Sequence, residues 1–252
     1  MSARGHAFGI DIGGSGVKGA AVDLATGKLV HERIKIATPR PATPEAVAAT
    51  TARLVAEAGW DGPVGITMPA VVLGGVTRTA ANIDKSWIGA DARTLFSTAL
   101  GGREVTVLND ADAAGLAEDR HGAAADYSGL VLVLTFGTGI GSALLYNGTL
   151  VPNSELGHLE IGGMEAEHRA AASVKDRRGL SYEQWAVEVS TVLSGLEDLF
   201  WPNVIVAGGG ISRDADRWIP LLTNRTPVVA ARLRNTAGIV GAAMAVETHL
   251  VP

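Results

Sequence analysis

Cysteine is missing from all 252 residues, which excludes disulfides, thiolate metal sites and cysteine nucleophiles and suits a cytoplasmic protein. An excess of positive charge is missing too. Twenty-one basic side chains stand against 26 acidic ones, for a net charge of −5, which argues against a nucleic-acid or anionic-membrane surface. No targeting segment is expected, because Asp11 interrupts the N-terminal apolar stretch and no small-residue cleavage site follows. The uncharged run 129–148 has the length of a membrane span, but its centre, Thr135-Phe-Gly-Thr-Gly-Ile-Gly141, is too glycine-rich for a helix. It reads as two buried strands around a turn. Present in excess is glycine, at 32 residues against an average usage of about 7%, and it is clustered.

The clusters punctuate a repeated order. Phe8–Asp11 is predicted as a strand, Gly13–Gly16 as a turn, Val17–Val22 as a strand, Asp23–Gly27 as a turn and Leu29–Ile36 as a strand. Leu130–Leu134, Gly137–Gly139, Ile140–Tyr146, Asn147-Gly148 and Thr149–Val151 repeat that order. A period of about half the chain implies two related lobes rather than a solenoid. Thr43-Pro44-Glu45 starts a helix that Gly59 stops, and Val64–Thr67 and Val105–Leu108 are short strands with a helix near Ala92–Leu100 between them. Asp110 is expected to cap a helix to about His121. Trp185, Val189, Val192, Leu193, Leu196, Leu199 and Phe200 form an apolar stripe on a helix over 183–200. Val204–Ala207 is a strand ending in Gly208-Gly209-Gly210, and Thr236 caps a last helix to about Glu247. Alternation of this kind gives an α/β fold with ligands at the strand C-termini.

The glycine turns carry the chemistry. In Asp11-Ile-Gly-Gly-Ser-Gly16, backbone N–H groups without Cβ atoms let a phosphate approach through Gly13, Gly14 and Gly16. Ser15 adds a hydroxyl, Lys18 a positive charge, and Asp11 a carboxylate for Mg²⁺. Alternatively the segment is an ordinary tight hairpin. Thr135, Gly137, Thr138 and Gly139 form a second such loop, with the same alternative. Neither is a Walker loop or a dinucleotide fingerprint, since a strand rather than a helix follows each. Two related loops in one chain suggest a cleft gripping a phosphate chain. Asn109-Asp110 at a strand end is either a helix cap or a place for a general base acting on a hydroxyl. Glu155-Leu-Gly-His158-Leu-Glu160 offers metal ligands, partners for sugar hydroxyls, or only a polar loop, and Asn82-Ile-Asp84 is similarly ambiguous.

In this order the Asp11–Lys18 loop, Asn109-Asp110, Thr135–Gly141 and Glu155–His158 resemble the ROK family of sugar kinases and repressors, of the actin-like ATPase superfamily. The stretches 81–87, 155–161, 197–202, 206–212 and 233–241 look like the actinobacterial polyphosphate glucokinases within it, over about residues 8–247. The resemblance implies an actin-like (ribonuclease H-like) α/β fold of two related lobes around a cleft, with residues 1–109 and the final 236–252 in the small lobe and 110–235 in the large one. It implies Asp110 as base on the glucose 6-hydroxyl, and Asn82, Asn109, Glu155, His158 and Glu160 as sugar contacts. The two glycine loops would hold phosphates, Gly208–Gly210 would sit where ATP-using relatives place adenosine, and Mg²⁺ would be the cofactor. The partners would be glucose and inorganic polyphosphate, ATP, or both, in a homodimer. The family's cysteine-rich zinc motif is absent here, since Gly162-Gly-Met-Glu follows His158, so no structural zinc is expected.

An ATP-dependent hexokinase is the adjacent alternative. A sugar-sensing repressor would need a helix-turn-helix domain ahead of the strand at Phe8, and the Glu155–Glu160 loop argues against a phosphatase of the superfamily. Arg169, Lys175, Arg177 and Arg178 would attract a polyanion, or else form a solvated helix face interleaved with acids. Lys85, Arg225, Arg232 and Arg234 are further cations of that kind.

Overall fold

The computed structural model describes residues 5–81, 83–248 and 252. The chain divides into two compact units, one of residues 1–117 and 236–252, the other of residues 118–235.

In the first unit, β1 (His6–Gly13) turns back into β2 (Gly16–Asp23), followed by β3 (Lys28–Leu29) and β4 (Ile34–Ile36). The expected single strand Leu29–Ile36 is therefore broken at Val30–Arg33, and both pieces pair with β2. Helix α1 (Pro44–Glu57) begins where proline at its first position and the Thr43 hydroxyl, accepting from Ala46 N–H, satisfy the first turn. Then come β5 (Val64–Met68), a small ribbon of β6 (Val72–Leu73) and β7 (Val76–Thr77), α2 (Ala92–Ala99), β8 (Val105–Asn109) and α3 (Asp110–His121). The sheet order is β3-β2-β1-β5-β8, with β1, β5 and β8 parallel.

The second unit repeats this plan. β9 (Leu130–Phe136), β10 (Ile140–Tyr146) and β11 (Thr149–Val151) form an antiparallel meander, and a ribbon of β12 (Glu160–Ile161) and β13 (Met164–Glu165) leads into α4 (Ala166–Ala170), α5 (Ala172–Arg178) and α6 (Tyr182–Phe200). β14 (Val204–Gly208), α7 (Ala215–Trp218) and β15 (Val228–Ala230) complete an order of β11-β10-β9-β14-β15, with β9, β14 and β15 parallel. The strand order matches that of the first sheet position for position, which is the duplicated α/β architecture expected from the repeated strand–turn–strand pattern.

Only 5% of residues are aromatic, and several cluster where they matter most. Phe136, Trp185 and Trp218 pack edge-to-face with centroids 4.9 to 5.8 Å apart beneath the end of β9. Such pairs contribute about 0.5–1.5 kcal/mol each beyond their area. α6 buries Trp185, Val189, Val192, Leu193 and Leu196 as its stripe predicts, but Leu199 is 63% exposed. Its capping box, Ser181 with Gln184, defines the start.

The chain returns to the first unit in α8 (Ala237–Glu247), which lies against β1 and β5 at backbone contact distance. A methyl added at Gly9 would stand 1.8 Å from the Ile239 carbonyl oxygen, and one at Gly65 1.8 Å from that of Ala242. On the helix itself, Gly241 meets the Ala113 carbonyl of α3 in the same way. Glycine is required here by close approach rather than by dihedral angle.

Candidate active site

In the first unit, Asp11 lies near the end of β1 between the buried Ile10 and Ile12. Register places it directly opposite Lys18 on β2 and Thr67 on β5. Its Oδ2 pairs with Lys18 Nζ at 3.1 Å, its Oδ1 accepts the Thr67 hydroxyl at 3.2 Å, and both charged side chains are 22% exposed. Gly13 pairs with Gly16, leaving Gly14 and Ser15 exposed at the tip, and the Thr38 hydroxyl donates to the Gly13 carbonyl. A Cβ on Gly13 would meet nothing nearer than 3.7 Å. Neither packing nor a positive φ demands glycine there, so the open face above it is room that a ligand can use.

At the end of β8 the structure corrects one expectation. The cap of α3 is Asn109, not Asp110. The buried Asn109 Oδ1 accepts the N–H groups of Ala111 at 2.8 Å and Asp112 at 3.1 Å, while its Nδ2 donates to the Ala70 carbonyl. Asp110 becomes the first residue of α3, exposed, with Oδ1 accepting Ala111 N–H at 2.9 Å. A first-turn position favours an anionic side chain through the helix dipole. Asn82, expected among the sugar contacts, lies outside the described residues.

In the second unit, Gly137, Thr138 and Gly139 form the loop between β9 and β10, closed by Gly137 N–H donating to the Gly139 carbonyl at 2.9 Å. Ser173 of α5 braces it: its N–H donates to the Gly137 carbonyl and its hydroxyl to the Thr138 carbonyl at 2.6 Å. Thr135 stands beside Gly208 across β9 and β14, so the loop and the Gly208–Gly210 turn are neighbours. Gly209 has a φ of +82° and no room for a Cβ against the Phe136 backbone, so its identity is structural, whereas Gly210 faces open space.

The Glu155–Glu160 segment brings a different set together. His158 Nδ1 lies 3.1 Å from Glu165 Oε2 and 3.8 Å from Glu167 Oε1, and its Nε2 lies 3.9 Å from Glu155. The hydrogen bond to Glu165 raises the His158 pKa above its ordinary value, aided by the charges of Glu167 and Glu155, and the same bond holds Glu165 below the usual carboxylate range. Burial pushes Glu155 up, although 41% of its side chain remains exposed. Glu160 is exposed and sits opposite Glu165 across the β12–β13 ribbon.

Glu167, in the sequence one acid among basic residues, joins both features. One carboxylate oxygen faces His158 and the other accepts the Ile140 N–H at 3.4 Å, directly under Gly139. A Cβ at Gly139 would lie 2.3 Å from that oxygen. The signal was the Gly162-Gly163 pair, a hairpin turn that folds the chain back on His158. Of the basic residues nearby, Arg169 and Arg178 both pair with Glu188, at 2.8 and 3.0 Å, and Lys175 lies over the Tyr182 ring.

A family model described as "ROK family" matches residues 7–172. The chain belongs to the ROK family. Among ROK relatives, a polyphosphate glucokinase of Mycobacterium tuberculosis (strain CDC 1551 / Oshkosh) is 63% identical over 240 residues, covering 95% of this chain and 91% of that one. A solved inorganic polyphosphate/ATP-glucomannokinase from Arthrobacter sp. strain KM superposes with a TM-score of 0.92 at 50% identity, over 98% of this chain and all of that one. A ROK glucokinase from Streptomyces griseus, solved with glucose and AMPPNP, gives a TM-score of 0.80 at 25% identity, over 95% and 98% of the two chains. The fold is that of the actin-like ROK sugar kinases. Among the described residues no helix is long and apolar enough to cross a membrane.

Proposed function

We propose that this chain is a sugar kinase that moves the terminal phosphoryl group of inorganic polyphosphate, and of ATP as a second donor, to the 6-hydroxyl of glucose, giving glucose 6-phosphate. The observation that carries the reading is the 63% identity to a polyphosphate glucokinase across 95% of the chain. In this reading the exposed Asp110 carboxylate takes the proton of the 6-hydroxyl as the new oxygen–phosphorus bond forms. The bridging bond to the donor breaks, and the donor leaves one phosphate shorter with the negative charge on its new end. The transition state is loose, so positioning and charge supply most of the catalysis.

Asn109 fixes the start of α3 and thereby Asp110. Gly13, Gly14, Ser15, Gly16 and Lys18 cradle donor phosphates in the first unit, and Thr135, Gly137, Thr138 and Gly139 in the second, with Gly208–Gly210 toward a nucleotide. Glu155, His158 and Glu160 hold sugar hydroxyls, with Asn82 as a further contact. The geometry adds Glu167 to that group. Mg²⁺ suits Asp11, a partly exposed hard oxygen donor that can be contacted through water, the usual mode of that ion. When bound it neutralises charge on the donor phosphates.

The protein acts in the cytoplasm as a homodimer in this reading. Val187 and Leu199 on α6 and the adjoining Trp201, 63–70% exposed, support an apolar contact there, and sedimentation of the purified chain tests it. The deciding experiment is glucose 6-phosphate formation with Mg²⁺ by purified protein, comparing nucleotide-free polyphosphate with ATP. Turnover with polyphosphate supports the reading, and turnover with ATP alone leaves the second one, an ATP-dependent hexokinase, which the neighbour solved with glucose and AMPPNP favours.

A further inference from the structure

The first glycine turn is flanked by more positive charge than its own loop needs. Lys18 is already matched by Asp11 at 3.1 Å. Register then sets Lys35 of β4 directly opposite Lys18, so two ammonium groups share one face of the sheet. Like charges directly opposite each other across strands are destabilising. Asp11 answers only Lys18: among the described residues no carboxylate pairs with Lys35. The Lys35 stem lies against Gly16, where an added Cβ would stand 2.9 Å from Cε. The lysine therefore runs alongside the turn.

A third cation follows on the next segment. After β4 the chain is fastened to the turn by the Thr38 hydroxyl, which donates to the Gly13 carbonyl. Arg40, between two prolines, then lines a cavity of about 290 Å³ together with Gly13, Gly14, Thr38 and Asp84. Asp84 does not pair with it. Its Oδ1 accepts the N–H and the hydroxyl of Ser86.

We infer that Lys35 and Arg40 are specificity residues for an inorganic polyanion, taking phosphate groups of the donor beyond those cradled at Gly13–Gly16. β4 lies two strands from β1, about 10 Å across the sheet. Charge at that distance from Asp11 is superfluous for one transferred phosphoryl group. It is useful to a donor that goes on as phosphate, and a nucleoside has no charge to offer it. The inference rests on the kinase reading above and sharpens its choice of donor.

The test compares Lys35→Gln, Arg40→Gln and the double variant with the wild type, using long-chain sodium polyphosphate, tripolyphosphate and ATP at saturating glucose. The ratio of kcat/KM for the long chain to that for ATP should fall about threefold in each single variant and about tenfold in the double one, with a shallower salt dependence. The fall should be smaller with tripolyphosphate, and Lys35→Arg should restore the ratio. An unchanged ratio in the double variant would overturn the inference. So would a Lys35→Arg protein as impaired as Lys35→Gln, since the loss would then be one of shape and not of charge. A wild type that turns over glucose with ATP but not with polyphosphate fails at an earlier point, because it overturns the donor assignment itself.

Discussion

The two glycine turns occupy equivalent places, each between the first and second strands of a five-strand path of the same order, yet they are built differently. The turn of the first unit is two residues long, open above Gly13, and bordered by Lys18 and Lys35. The turn of the second is three residues long, tied down by Ser173 and seated on Glu167, beside His158, Glu155 and Glu165. One copy of the duplicated plan has collected cations around its turn, the other carboxylates. A duplicated sheet supplies two similar backbone turns, and the side chains that have gathered around each give them opposite charge.

That contrast can be broken at several points. The largest effect is expected outside both turns: Asp110→Asn should lower kcat about 10³-fold while calorimetry finds glucose affinity within about tenfold. Wild-type turnover in that variant would end the assignment of a base. Next, alanine at the two turns should separate them. Gly139→Ala pushes the end of the flexible Glu167 side chain off the Ile140 N–H and should cost about 0.5–1.5 kcal/mol in chemical denaturation, together with a raised KM for glucose. Gly13→Ala has room within the protein, so its stability should stay within about 0.5 kcal/mol while kcat/KM for the phosphoryl donor falls. Equal destabilisation of the two would mean that the turns do not differ as described. Smaller still is Ser173→Ala, which removes one brace and should cost about 1 kcal/mol.

The smallest effect is one of titration. The folded His158 pKa is raised above that of the unfolded chain, so its contribution to stability is full below the unfolded value and is lost as pH rises through the folded one. Glu165 has the opposite sign: its contribution holds above the unfolded carboxylate value and fades as pH falls through the depressed one. Glu165→Gln should therefore lower the His158 pKa, followed by its ring proton shifts in NMR. A His158 that titrates unchanged would show that the 3.1 Å contact does not set its charge.

What the sequence made legible was local. Gly13–Gly16 and Gly137–Gly139 between alternating apolar runs announced both hairpins, and the Trp185–Leu196 spacing announced α6, because period and turn chemistry are properties of adjacent residues. Leu199 has the right period but is exposed, because the last turn of α6 presents Phe200 to the core and Glu197 to the 225–226 backbone instead. The break between β3 and β4 has no local signal, because Val30 and Ile34 continue a strand-like apolar pattern. Asn109 and Asp110 are both good caps, and the choice was made by the Ala70 carbonyl, which holds Asn109 from 39 residues away. Glu167 acquires its role only when the β12–β13 ribbon has folded, which no local spacing describes.

The glycines beneath α8 have a consequence for how tolerance to mutation should be interpreted. Gly9, Gly65 and Gly241 touch no ligand-facing group, yet each stands where a single methyl would meet a carbonyl oxygen at 1.8 Å. In a saturation library screened for growth or turnover, these three positions should be as barren as Asp110, and a map of invariance across relatives would colour them alike. If Asp110 is the base, selection there acts on chemistry, and at the three glycines on the width of a crevice between main chains. A stability assay run beside the activity assay tells the two apart.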